Sequence, residues 1–527
     1  MNVPRLSRQM LASLPQAVGR PGFDPSRVAT GIGHLGLGAF ARAHLASYTD
    51  PLLETDPSWG ICGVSLRSAA TRNALAPQDW LYLRAERDGA GENLRAMGAL
   101  TGALLAPEDP AAVIRRFADL SVRVVTISVS EKGYYRRAAD GALDEADPAI
   151  QRDLVHPDAP STMPGIIVAA LRARRDRGIP PFTVLCCDNL PENGVSTRRI
   201  VLHFADLLSP ELANYIARAV AFPNSMVDRI VPATTEADKQ RVATIAGVAD
   251  AWPVVCEPFT QWVIEDHFPL GRPQWEHAGA EIVSDVRPYE MMKLRLLNSS
   301  HSAIAYLGQL AGWTTVTEAM REPPLADFIA ALMAEAATTL RMPQGVNLAL
   351  YQRALINRFR NPALQHQTTQ IAMDGSQKLP MRILATAQDR LTNGLRAPCM
   401  AFVTAAWLQF LRQRSDSGSS LTVDDPNKEK LLKAASNAGT HLSLVKSIFA
   451  MADIVPAVLA ASDVFASEVI DALTTLSEIG VHQALIKFNH REGIHEYHEK
   501  TTDGLLAGRI VAGPGTGASC ARQKRAG

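Results

Sequence analysis

The stretch VATGIGHLGLGAFARAHLASYTD, residues 28–50, decides the fold. It reads as a short apolar strand, a glycine-rich turn and a helix beginning near Phe40. Two glycine patterns overlap in it. Gly31, Gly33 and Gly36 fit the spacing G-x-G-x-x-G literally, while Gly36 and Gly38 form a second pair. Phosphate-binding glycines belong after the strand, where the backbone turns sharply and its N–H groups face the ligand. Ile32, His34 and Leu35 suit the end of a strand, so the turn falls on Gly36 and Gly38. One such motif is weak alone, because a tight turn that holds nothing has the same composition.

Further along the chain, WGICGVSL (59–66), VRVVTISVS (122–130) and PFTVLCCDNL (181–190) are short apolar runs bounded by turn residues. Helical patterns such as DPAAVIRRFADL (109–120) and GIIVAALRARRDRG (165–178) lie between them. Strands alternating with helices predict an α/β domain of Rossmann type, with a doubly wound, mostly parallel sheet, over residues 28–287. Residues 1–27 read as a surface arm. From residue 288 the texture becomes helical, as in MMKLRLLNSSHSAIAYLGQLAG, PLADFIAALMAEAATTL and AFVTAAWLQFLRQR. A mainly α-helical C-terminal domain is therefore expected over 288–487. Within it, the polar run 414–430 reads as a surface loop. Residues 488–527, rich in Gly, His and charge, read as a mobile tail.

Composition narrows the class. The 527 residues carry 53 Lys+Arg against 53 Asp+Glu, so no overall field favours nucleic acid. Hydrophobic residues at 47% and charged residues at 20% suit a globular protein of two or more domains. Six cysteines without a CxxC pair suggest neither a disulfide framework nor a structural zinc module. The first residues lack the apolar core of a signal peptide, and no apolar run is long enough for a membrane span. A reducing, cytoplasmic setting is the expectation.

Two segments carry candidate chemistry. The second strand ends VSLRSAATR, where Arg67 and Ser68 follow Leu66 and no acid does. An acid at that point favours NAD and an arginine accommodates a 2′-phosphate, so the sequence tilts toward NADP; Arg67 equally suits a solvated surface charge. In KLRLLNSSHS, Lys293, Asn298 and His301 fall within an arc of roughly 140° at about 100° per residue. Apolar Met292, Leu294 and Leu296 disfavour the ammonium form of Lys293, which fits it for general-base work on an alcohol. Asn298 and His301 could then hold the oxygen. An amphipathic helix with a snorkelling lysine and a core histidine reads the same way. Tyr289 and Lys293 also fit YxxxK, but they follow the glycine turn too late for a short-chain dehydrogenase.

Eight ordered blocks give the chain a likeness: HLGLGAFARAH (34–44), WGICGVSLRS (59–68), SEKGYY (130–135), CCDNLPENG (186–194), FPNSMVDRIVP (222–232), CEPFTQWVIED (256–266), MMKLRLLNSSHS (291–302) and NPALQHQTTQIAMDGSQKLPMR (361–382). Together they resemble the mannitol dehydrogenase family of polyol-specific long-chain dehydrogenases, which includes fructuronate reductase. The resemblance covers residues 28–487. It implies metal-independent, NAD- or NADP-dependent interconversion of a secondary alcohol and a ketone. It implies Lys293 as base, with Asn298, His301 and Asn189 on the substrate oxygen. Asp228, Glu131 and Lys378 match substrate-side residues, and Gly36, Gly38 and Phe40 match the cofactor turn. Ser299 departs from the family, which usually has Gly there.

The expected substrate is a neutral sugar alcohol of the mannitol/fructose type, or alternatively an aldonate of the mannonate/fructuronate type. A carboxylate needs a cation at its far end, for which Arg382 and Lys378 are candidates. A non-catalytic dinucleotide sensor conflicts with the presence of Lys293, Asn298, His301 and Asn189. His490, His495 and His498, near Glu492 and Glu496, fit neither HExxH nor a zinc finger, so no metal is expected. The expected partner is a small molecule, not nucleic acid or membrane, for a monomer or small homo-oligomer.

Overall fold

The computed structural model describes residues 3–137, 140–363 and 366–494. Two compact units divide at Val286/Arg287. In the first, seven strands come early: β1 (Thr30–Leu35), β2 (Gly60–Ser65), β3 (Tyr82–Arg87), β4 (Glu92–Met97), β5 (Leu100–Leu105), β6 (Val124–Ile127) and β7 (Thr183–Cys186). The central sheet runs β5-β2-β1-β6-β7, and every pair in it is parallel. Within it, β1, β2, β6 and β7 are buried along almost their whole length because both faces are covered. Leu35, Val125 and Ile127 pack into one apolar core with Phe117 and Ile166, while Ile32, Val124 and Leu185 pack into another. The chain leaves β1 toward β2 on one side and reaches β6 on the other. That reversal opens a crevice at the carboxyl ends of β1 and β6.

Four further strands complete the unit: β8 (Ser225–Asp228), β9 (Val254–Cys256), β10 (Gln261–Glu265) and β11 (Glu281–Val283). They build two small mixed sheets, β11-β10-β8 and β4-β3-β9. The N-terminal segment is not a surface arm. Leu6, Leu14 and Val18 are buried with Leu83, Leu94 and Val255, and Gly19 exchanges backbone hydrogen bonds with Leu94 and Ala96 on β4. An open strand edge and an apolar sheet face give the segment something to cover.

Among the described residues of the second unit no strand forms. The helices Pro323–Ala337, Pro398–Phe410 and Asp463–Arg491 share an aromatic core, with Phe402 and Phe488 ring centroids 4.8 Å apart and Phe328 beside both. Buried Phe488 corrects the expected domain end at 487, because the last helix runs on to Arg491. Residues 495–527, with His495 and His498, lie outside the described residues. The run 414–430 is not wholly a surface loop either. Val423 and Asp425 are buried, and Asp425 accepts hydrogen bonds from Ser376 N and Oγ at 2.7 and 2.6 Å. Among the described residues no helix is long and apolar enough to cross a membrane.

Candidate active site

In the first unit, the glycines of the opening stretch divide by duty. A Cβ on Gly33 would sit 2.6 Å from the Phe117 ring, and one on Gly31 would meet the Ser58 carbonyl, so both serve strand packing. Gly36 adopts φ +93°, and a Cβ there would run into the Ser128 carbonyl oxygen. Gly38 is extended, and a Cβ on it would meet nothing nearer than Gly36 O at 3.7 Å. The turn thus has one position closed to any side chain and one facing open space.

That space is a cavity of about 470 Å³, lined by Gly36, Gly38, Ser65, Arg67, Ser128 and Tyr135 among others, with no carboxylate in the lining. Glycine backbone at a strand-to-helix turn and neutral or cationic walls fit a dinucleotide's pyrophosphate and ribose. Arg67 and Ser68 are exposed at its edge. Phe40 does not line it; its ring stacks on His44 at 4.8 Å.

The loops after β6 and β7 carry Glu131 and Asn189, both exposed. Asp188 ties the two together, accepting from Val129 N at 2.9 Å, Ser130 N at 3.4 Å and Tyr134 Oη at 2.7 Å. Burial raises the Asp188 carboxyl above its ordinary range, against these hydrogen bonds. Asn193 is buried and clamps the same region. Its amide donates to the Cys186, Asp188 and Ser225 carbonyls and accepts from Ser225 N. Asp228 ends β8 and is buried. Non-glycine residues at positive φ mark these loops: Ser130, Tyr135 and Glu192 here, and Asp374 in the second unit. Such strain, at about 1–3 kcal/mol each, persists where surrounding structure imposes it, often at functional sites.

In the second unit, Lys293–Asn298 is a π-helix between the α-helices Arg287–Met292 and Ser299–Ala311. This corrects the angular reckoning for Lys293, Asn298 and His301. A π turn bonds i to i+5, about 4.4 residues per turn, so residues five apart come within about 50° of each other around the axis. The arc of the three shrinks from roughly 140° to about 60°. Lys293 and Asn298 are half-buried, and their neighbours Met292, Leu296 and Leu297 are buried. The Ser299 hydroxyl donates to the Arg295 carbonyl, which absorbs the departure from Gly.

A second π segment, Pro380–Leu384, carries Arg382. Arg382 Nη1 donates to Asn298 O at 3.4 Å and Ser302 Oγ at 3.2 Å, bracing the first segment. Lys378 Nζ donates to Met373 O at 2.6 Å, at the end of the short helix Thr368–Ala372. The ring of His301 lies 5.0 Å from Phe359 and 5.3 Å from His366. Burial lowers the His366 imidazole below its usual range. No local signal could pair His366 with His301 across the intervening sequence, and Asp188 and Asn193 were hidden within a block read for Asn189. Among the described residues no group of three or more His, Cys, Asp or Glu side chains could hold a metal ion.

Comparison with known proteins matches both units. Residues 30–277 fit the mannitol dehydrogenase Rossmann domain, and residues 285–477 the mannitol dehydrogenase C-terminal domain. D-mannonate oxidoreductase of Escherichia coli (strain K12) is 43% identical over 457 residues, 86% of this chain and 92% of that protein. Mannitol 2-dehydrogenase of Aspergillus terreus is 40% identical, covering 88% of this chain and 94% of its own length. The solved Pseudomonas fluorescens mannitol 2-dehydrogenase, a ternary complex with NAD and D-mannitol, superposes with a TM-score of 0.79 at 38% identity. The match covers 92% of this chain and all of that one. With both domains matched in order, and a parallel-sheet unit followed by a helical one, this chain belongs to the mannitol dehydrogenase family.

Proposed function

We propose that the chain oxidises a secondary alcohol of an acyclic sugar alcohol to the ketose and catalyses the reverse reduction. The observation that carries this is the π turn, which gathers Lys293, Asn298 and His301 onto one narrow face. Lys293 takes the hydroxyl proton, while the Asn298 amide and the His301 imidazole hold the oxygen as negative charge grows on it. Asn189 adds a further hydrogen bond to that oxygen, Glu131 passes the proton toward solvent, and Asp228 binds a substrate hydroxyl. A nicotinamide dinucleotide bound at the Gly36–Gly38 turn supplies the hydride acceptor. No metal takes part, so activity should survive EDTA.

Mannitol/fructose is the leading substrate pair. D-mannonate/D-fructuronate is the second reading, favoured by the 43% identity to a D-mannonate oxidoreductase; Arg382 and Lys378 are the cations that reading would offer to a carboxylate. Mannitol, arabinitol, sorbitol and mannonate, each assayed with NAD and NADP, decide between them. No turnover with any of the four sinks the proposal.

Cofactor choice follows from the cavity wall. With no carboxylate beyond β2 and Arg67 at the edge, NADP is accepted beside NAD. Arg67→Ala should weaken NADP more than NAD, and equal effects would make Arg67 a surface charge only. We also assign the chain to a reducing, cytoplasmic setting, in keeping with five buried free thiols among the described cysteines. A monomer or small homo-oligomer is proposed, to be measured by light scattering.

A further inference from the structure

Glycine at 36 gives the turn its shape but not its orientation, because glycine accepts positive and negative φ alike. Something outside the residue must fix the peptide. The Gly36 carbonyl receives Gly38 N at 2.6 Å, and two side chains close on it from within the sheet. His34 Nε2 lies 3.1 Å from Gly36 O, and Ser128 Oγ lies 3.2 Å from it and 3.1 Å from His34 Nε2. On the other side of the ring, His34 Nδ1 is 2.8 Å from Thr126 Oγ1. His34 and Thr126 are register partners on β1 and β6, the two strands flanking the crevice.

Proton accounting assigns the tautomer. A carbonyl only accepts, so the Nε2 beside Gly36 O carries the hydrogen; Nδ1, at 2.8 Å, then takes the Thr126 hydroxyl proton ahead of the Gly33 carbonyl, which lies 3.3 Å from that hydroxyl. Both groups are fully buried, and burial pushes the His34 imidazolium down to about 4, so the ring stays neutral across the working range.

We propose that His34 is a positioning residue for the cofactor turn: its Nε2–H, backed by Ser128, holds the Gly36 carbonyl turned into the sheet so that the turn's outer face stays open to the dinucleotide. This rests on reading the Gly36–Gly38 turn as the cofactor site.

NADH titration followed by nicotinamide fluorescence tests it on the full chain. In His34→Gln the side-chain amide reaches the Nε2 position and restores the donor. In His34→Asn it reaches only the Nδ1 position, and His34→Leu restores neither. The Gln variant should bind NADH within about threefold of the parent, while Asn and Leu weaken it about tenfold, the scale of one buried hydrogen bond. Turnover at saturating cofactor should change far less. Equal NADH affinity in all three overturns the proposal, as does equal weakening in proportion to lost thermal stability, which marks packing alone. Should Asn and Leu fail to fold, Ser128→Ala removes the second donor and should weaken NADH about threefold; no change there overturns the proposal. Gly38→Val separates the two readings. If it weakens NADH while the His34 and Ser128 variants do not, the cofactor site stands and the positioning role falls. If Gly38→Val leaves NADH binding intact, both fall together.

Discussion

In the proposed reaction Lys293 carries the heaviest chemical demand placed on one side chain, because the hydroxyl proton must leave as the hydride does. Lys293→Ala should lose at least about 10²-fold in the oxidation rate. NADH affinity should hold, and an added primary amine should restore part of the rate. Near-normal turnover with an unaltered pH profile would move the base to Asp228 or Glu131. His34 makes a separate demand, on stability. An unfolded histidine titrates near 6.5 and this one near 4, so between those values the unfolded chain binds a proton that the folded chain does not. Stability on the order of 3 kcal/mol, present above pH 6.5, is lost as pH falls to 4. His34→Gln should flatten that acid limb when melting temperature is followed from pH 7 to 4.5; an unchanged slope would assign the loss elsewhere. The glycine turn was legible in the sequence because it closes an apolar strand run, whereas the duty of Lys293 was not, since an ordinary amphipathic helix has the same composition. Asp188 and Asn193 were not legible either, since their partners come from β7, β8 and the segment between β6 and β7.

At the scale of the element, the two π segments act as one device. Each is a local widening of a helix, and Arg382 on the second reaches the Asn298 carbonyl on the first. Arg382→Ala removes a charge-assisted donor worth about 1.5–3 kcal/mol where it matters most. Steady-state kinetics should show kcat lowered about tenfold, with NADH affinity kept. A change confined to substrate KM would instead place the guanidinium on the substrate. Pattern reading could not find these segments, because hydrophobic periodicity over six residues does not separate 3.6 from 4.4 residues per turn. Strands followed the same logic. β1, β2, β6 and β7 announce themselves as apolar runs buried on both faces. β3, running YLRAER, and the three-residue β9 and β11 carry too little pattern to be seen without their partners.

At the scale of the whole chain, the described fold ends just past the last helix, where Ile494 N still bonds Asn489 O at 2.8 Å. A chain cut after Ile494 should keep its activity, its EDTA resistance and its elution volume, since the sequence beyond lacks core periodicity. A soluble, folded but inactive truncation would show that the segment serves the site.

The N-terminal segment has a consequence in time. Leu6 N bonds Ala249 O and Ala249 N bonds Pro4 O, so residues 4–6 are seated against a residue made more than about two hundred positions later. At synthesis rates of about 5–20 residues per second, roughly 10–50 s pass before that seat exists. Until then the apolar face of Leu6, Leu14 and Val18 has only the half of its seat that β3 and β4 supply, and it lacks Val242, Ala246 and Val255. Nascent chains stalled before residue 249 should therefore recruit holdase chaperones through residues 6–18, and chains stalled well beyond it should release them.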